Sequence, residues 1–89
     1  MRLDKFLKVL MLIKRRTVAN EMADEGFVKL NGRIAKPSAK LKVGDVLELD
    51  TWNMYKKLQI LSLPERGSVS KQEVDKFIIT LEYRAKEPE

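Results

Sequence analysis

The sequence contains no cysteine and no histidine. The first absence excludes disulfides and thiolate metal sites; the second removes the commonest general base and the imidazole ligand. No Gly-rich phosphate loop, Ser nucleophile elbow or paired-carboxylate spacing stands out, and 89 residues leave little room for a closed pocket. The residues therefore predict a binding module with no catalytic residue, no metal and no cofactor. Long apolar runs are also missing. The uncharged stretch Val9–Ile13 is too short for a signal peptide or a membrane span, which makes the cytoplasm the expected location.

What is present is charge, unevenly spread. Residues 1–42 carry eleven Lys/Arg against four Asp/Glu, and residues 43–89 carry seven against nine, so a +7 half and a −2 half sum to +5. A basic half on one small domain is the electrostatic footprint of a nucleic-acid binder. An anionic membrane is the competing partner, but the single Trp, Trp52, lies outside the basic half, where an interfacial helix would not use it.

Leu3, Phe6, Leu7 and Leu10 share one helical face, which predicts a first helix over about 2–12 with Asp4 in its dipole-favoured first turn. A second helix is predicted over about 17–25, with Thr17 as N-cap, a small-residue face of Val18, Ala19, Met22 and Ala23, and Gly26 at C′. Between them Lys14, Arg15 and Arg16 stand just before a helix N-terminus. The positive end of the dipole opposes each such cation by about 0.3–1 kcal/mol, so removing Arg16 is expected to relieve the helix. The turn reads either as a solvated basic loop or as a phosphate site, where an anion would meet free N–H groups, the dipole and three cations together. Ten residues of helix, at about 1.5 Å each, would hold Arg2 and the turn arginines roughly 15 Å apart, a spacing that suits two nucleic-acid elements better than one phosphate.

Phe27–Leu30 and Arg33–Lys36 read as strands joined by Asn31-Gly32, a type I′ hairpin signal. Val46–Asp50 and Lys57–Leu63 read as further strands, and Ser70-Lys71-Gln72-Glu73 as a capping box opening a short helix. Phe77–Leu81 fits either helix or strand. Trp52, Met54 and Tyr55 are expected to pack along the sheet or a loop, with base stacking as the alternative. The polar tail 84–89 is expected to fray.

Arg2-Leu3-Asp4-Lys5-Phe6-Leu7, Lys14-Arg15-Arg16-Thr17, Gly26-Phe27-Val28-Lys29-Leu30-Asn31-Gly32, and Lys36-Pro37-Ser38 with Val43-Gly44-Asp45 together resemble the RNA-binding domain first known from ribosomal protein S4. The resemblance covers about residues 1–50. It implies an α+β fold with one S4-type αL motif, two N-terminal helices packed on a small antiparallel sheet, followed by a short C-terminal helix or strand. Residues 1–50 would be the RNA-binding motif, and 51–83 would complete the same domain.

RNA would lie along the second helix and the adjoining hairpin. The candidate RNA-binding residues are Arg2, Lys5, Lys14, Arg15, Arg16, Thr17, Asn20, Lys29, Asn31, Arg33, Lys36 and Lys40. Among stand-alone members the chain is most similar to the RqcP family of ribosome-associated quality control, and more distantly to the ribosome-associated heat-shock proteins. That implies rRNA and tRNA of the large ribosomal subunit as partners, together with an RqcH-like protein that drives C-terminal alanine tailing; a monomer away from membranes is expected. The family commonly carries Ser-Arg where this chain has Leu10-Met11, an apolar pair that suits either the core or a protein contact. A protein-interaction module recruiting through the acidic half is the reading from another class.

Overall fold

The computed structural model describes residues 1–65 and 67–86. Two helices, α1 (Leu3–Val9) and α2 (Arg16–Asp24), precede the strands β1 (Val28–Leu30), β2 (Arg33–Ile34), β3 (Val46–Asp50) and β4 (Met54–Ile60); a short α3 (Val74–Phe77) leads into β5 (Ile78–Ala85). The five strands form one antiparallel sheet in the order β2-β1-β3-β4-β5. The α+β architecture is the expected one, and Phe77–Leu81 divides: Phe77 ends the helix, and the β-branched run that follows is strand.

The predicted apolar stripe is the core. Leu3, Phe6, Leu7 and Leu10 are all buried, against Ala19 and Ala23 of α2 and against Val28, Leu47, Leu49, Leu58 and Ile60 of the sheet. The two alanines let α2 approach closely, whereas Val18, expected on that face, is exposed. The inward sheet residues follow the two-residue strand period. Leu30, Leu47 and Leu58 stand side by side, as do Val28 and Leu49.

Helix α1 ends earlier than its periodicity suggests. Met11 takes a left-handed backbone, φ 57°, and two bonds close the end in the Schellman pattern: Met11 N–H donates to the carbonyl of Lys8, and Leu12 N–H to that of Leu7. A residue with a Cβ in this conformation costs about 1–2 kcal/mol relative to glycine. The pair Leu10-Met11 thereby splits, Leu10 into the core and Met11 onto the surface. Helix α2 ends the same way with the expected residue: Gly26 at φ 88°, its N–H on Ala23 and that of Phe27 on Met22. The side chain of Ile34 lies 3.7 Å from where a Cβ on Gly26 would stand. The start of α2 departs from expectation. Arg15, not Thr17, is the N-cap, and no side chain caps the helix.

In the β1–β2 hairpin Asn31 (φ 51°) and Gly32 (φ 86°) form the type I′ turn. Strand β4 starts at Met54 rather than Lys57, because the Thr51 hydroxyl bonds Asn53 and the Met54 backbone and closes a tight β3–β4 turn. Trp52 sits in that turn, 79% exposed, so it does not pack as expected; Tyr55 does, its hydroxyl donating to Glu48 at 2.6 Å. Helix α3 begins at Val74, not at Ser70. The Ser70 hydroxyl meets the Glu73 carboxylate directly at 2.9 Å, in place of the reciprocal side chain–backbone bonds of a capping box. Fraying from residue 84 is also corrected. Arg84 and Ala85 lie in β5, and Lys86 bonds the carbonyl of Asn53 through its N–H and Asp50 through Nζ. The rest of the predicted tail, 87–89, falls outside the described residues.

Among the described residues nothing lies within 4 Å of where a Cβ on Gly32 would stand, so a substitution there acts through backbone conformation. Gly32→Val is expected to lower stability by about 1–2 kcal/mol. Thermal melting checks it; a melt like that of the parent would contradict the type I′ assignment.

Candidate nucleic-acid interface

The residues around the start of α1 converge on one carboxylate. Asp4 is 2% exposed. Arg2 grips it in a fork, Nε to Oδ1 and Nη2 to Oδ2, both at 3.2 Å. Asn20 Nδ2 donates to Oδ2 at 3.2 Å, the Lys5 N–H to Oδ1 at 2.8 Å, and Arg16 Nη2 stands 3.6 Å from Oδ1. Burial pushes the Asp4 carboxyl up, but the bonds from Asn20, Arg2 and the Lys5 N–H, with the Arg16 charge, outweigh it and hold the group below its ordinary 3.8.

This geometry corrects the expected separation of Arg2 from Arg16. Both guanidinium groups reach the same carboxylate, because α2 folds back along α1 and carries Arg16 and Asn20, one turn apart, to the start of α1. Their side chains remain about half exposed, with N–H donors left over for an external anion. Arg16 is thus a partner of a buried charge rather than a pure source of dipole strain, and its removal is not expected to stabilise the helix.

Thr17 joins Asp4, Arg16, Asn20 and Glu21 around a shallow depression. Lys14 and Arg15 are exposed in the turn, and the first turn of α2 carries neither an acidic residue nor a side-chain cap. Lys40 faces Arg2 across an isolated antiparallel bridge. The segment between Lys36 and Lys40 closes the start of α1, since the Leu3 and Asp4 N–H groups donate to Ala39 and Pro37 carbonyls. Lys5 is exposed on α1 beside Asp4.

The remaining candidates are placed differently. Asn31 uses its side chain within the fold, donating to Asp45 at 3.1 Å and accepting the Val46 N–H at 2.9 Å, so it locks the hairpin to β3. Lys29 lies on the sheet face away from the helices, in a cross-strand row of alternating charge: Lys29, Glu48, Lys57, Glu82. In the next row Arg84 sits 4.7 Å over the Tyr55 ring, and Glu48 pushes the Tyr55 hydroxyl up to about 12. Arg33, at the hairpin end, borders with Lys36 a depression distinct from that around Asp4.

The role of Asp4 as the common partner is absent from a reading by segments. The available signal was the polar pair Arg16 and Asn20, four apart on α2 and flanking the buried Ala19. Among the described residues no group of three or more Asp or Glu is arranged to hold a metal, and no helix is long and apolar enough to cross a membrane.

A helix pair on a hairpin-edged sheet, with guanidinium groups collected at the helix edge, is the build of a small RNA-binding module. The S4 domain model matches residues 1–47, and the chain belongs to the S4 domain family. It is 49% identical over 65 residues to the RQC P-site tRNA stabilizing factor of Streptococcus pneumoniae, covering 73% of this chain and 74% of that one. It is 40% identical over 78 residues to the factor of the same name from Helicobacter pylori strain J99, covering 88% and 93%. Its fold is similar to the trimeric structure of Vibrio cholerae heat shock protein 15, with a TM-score of 0.78 at 28% identity, covering 97% of this chain and 81% of that one.

Asp4→Asn keeps the shape and removes the charge that organises the cluster. It is expected to cost about 1–3 kcal/mol at pH 7. Because folding depresses the Asp4 pKa, its contribution is full above about pH 4 and is lost as the pH falls through 3.8 and then the lower folded value. The gap between parent and variant melting temperatures should therefore be constant at neutral pH and close below pH 4; curves that stay parallel would contradict this role.

Proposed function

We propose that the chain is a non-enzymic RNA-binding factor of ribosome-associated quality control. In this reading it acts as a monomer in the cytoplasm, holding rRNA and peptidyl-tRNA on obstructed large ribosomal subunits while an RqcH-like protein adds C-terminal alanine. The observation that carries the reading is the pair of half-exposed guanidinium groups, Arg2 and Arg16, held by Asp4 beside the uncapped start of α2. Phosphates are the anions such a pair recognises, through charge-assisted and two-point hydrogen bonds. The names of the relatives supply the setting: factors that stabilise tRNA in the P site.

Since Arg2 and Arg16 share one carboxylate, the reading places a single phosphate group or two adjacent ones at the cluster. Contact with a second RNA element falls to Lys14 and Arg15 on one side or to Lys36, Lys40 and the hairpin on the other. A second reading is a heat-shock-type factor that rescues free large subunits carrying peptidyl-tRNA, favoured by the likeness to heat shock protein 15. The two readings differ in whether function needs the RqcH-like partner.

Binding to structured RNA should be dominated by phosphates. With about five of them neutralised, log K should fall against log salt with a slope of roughly −3.5 to −4.5. A slope near zero would overturn the electrostatic reading. In cells that lack the protein, alanine-tailed product of a stalling reporter should fall. Arg16→Glu, checked for abundance, should not restore it, because the reversed charge repels phosphate. Full restoration by a stably expressed variant would separate this cluster from the role.

A further inference from the structure

A groove of about 460 Å³ opens where the chain leaves α1, floored by Val9, Met11, Ile13 and Val69. Its rim carries Lys8, Lys14 and Lys71, and among the described residues its lining includes no carboxylate. Ile13 also borders a second apolar depression containing Leu12, Met22, Phe27 and Trp52, so the two form one band. Met11, Phe27 and Trp52 are its exposed large side chains. Met11 is presented by the left-handed backbone at the end of α1, a position where glycine would be unstrained.

We propose that this groove is a docking site for an acidic amphipathic helix of a partner protein. Apolar residues at the i, i+3, i+4 spacing of such a helix would fill the Val9–Met11–Ile13–Val69 floor, and its Asp or Glu side chains would meet the ammonium groups of Lys8 and Lys71. Methionine and branched aliphatic side chains adapt to a protein helix, the use to which Met-rich grooves are put. A nucleotide fits the groove itself less well, because among the described residues that line it none is aromatic and Ser68 is the one uncharged polar side chain; Phe27 and Trp52 stand in the adjoining depression. The site lies apart from the Asp4 cluster, so it operates whether or not that cluster binds phosphate as proposed.

The test places a photoreactive benzophenone side chain at position 11 of the full chain in cells and sequences the cross-linked peptide by mass spectrometry. The expected adduct is a peptide of another protein, with Asp or Glu beside apolar residues at helical spacing. A synthetic copy of that peptide should bind the purified chain in fluorescence anisotropy. Met11→Gly, which the backbone accommodates, should weaken that binding about tenfold, and Lys8→Gln/Lys71→Gln several-fold, with melting temperature retained. Adducts to nucleotides, to a second copy of this chain or to peptides without acidic residues would each overturn the proposal. So would the absence of any adduct, or a synthetic peptide indifferent to both variants.

Discussion

A carboxylate cannot be buried without partners, and that constraint organises this molecule. Removing a carboxylate from water costs several kcal/mol unless hydrogen bonds and opposite charge replace the hydration. Asp4 meets the requirement with the fork of Arg2, the amide of Asn20, the Lys5 N–H and the nearby charge of Arg16. These partners come from the approach to α1, from α1 itself and from α2, so satisfying one group fixes the relative position of both helices. The same start of α1 is closed by carbonyls of Pro37 and Ala39, which ties the segment after the hairpin to the cluster. Surface ion pairs contribute little in general, but a pair whose acidic member is buried is a different case, because its loss strands a charge.

Asp4 also explains how several cations can gather at one place. Two guanidinium groups brought together repel, and the positive end of α2 adds to the penalty. One carboxylate between them offsets the repulsion without cancelling the field: Arg2, Lys14, Arg15 and Arg16 still exceed it, and no acid stands in the first turn of α2. The arginines are held in place by a bond on their inner side and keep donors on their outer side. Less side-chain freedom then remains to be lost when an anion binds, which is the usual benefit of preorganisation.

Features governed by neighbours in the chain were legible in the sequence. The stripe Leu3, Phe6, Leu7, Leu10 is the core face, Gly26 closes α2, and Asn31-Gly32 makes the turn. Each depends on helical period or on a backbone preference that the residue itself carries. The failures have equally specific causes. Met11 adopts a conformation its side chain disfavours, so periodicity overran the end of α1. Trp52 stands exposed in a tight turn set by the Thr51 hydroxyl, against the ordinary tendency of large aromatics to pack. Strand β5 reaches Ala85 because β4 is there to pair with it, which a polar tail does not announce. The Asp4–Asn20 bond spans sixteen positions and follows only from the packing of α2 on α1.

The acidic half of the chain acquires a different meaning once its carboxylates are located. Asp45 is bound by Asn31 and the Lys42 N–H, Glu48 by the Tyr55 hydroxyl, Asp50 by Lys86, Glu73 by Ser70 and Glu82 by Arg84. On the open sheet face the charges alternate across strands, Lys29 to Glu48 to Lys57 to Glu82, so that face is close to locally neutral. A surface that recruits a basic partner would instead gather unpaired acids of one sign. Among the described residues, most acids of 43–89 are thus engaged within the fold, two of them in ion pairs, rather than gathered into one free acidic patch. Apolar side chains exposed beside lysines offer a protein partner more than these engaged acids do.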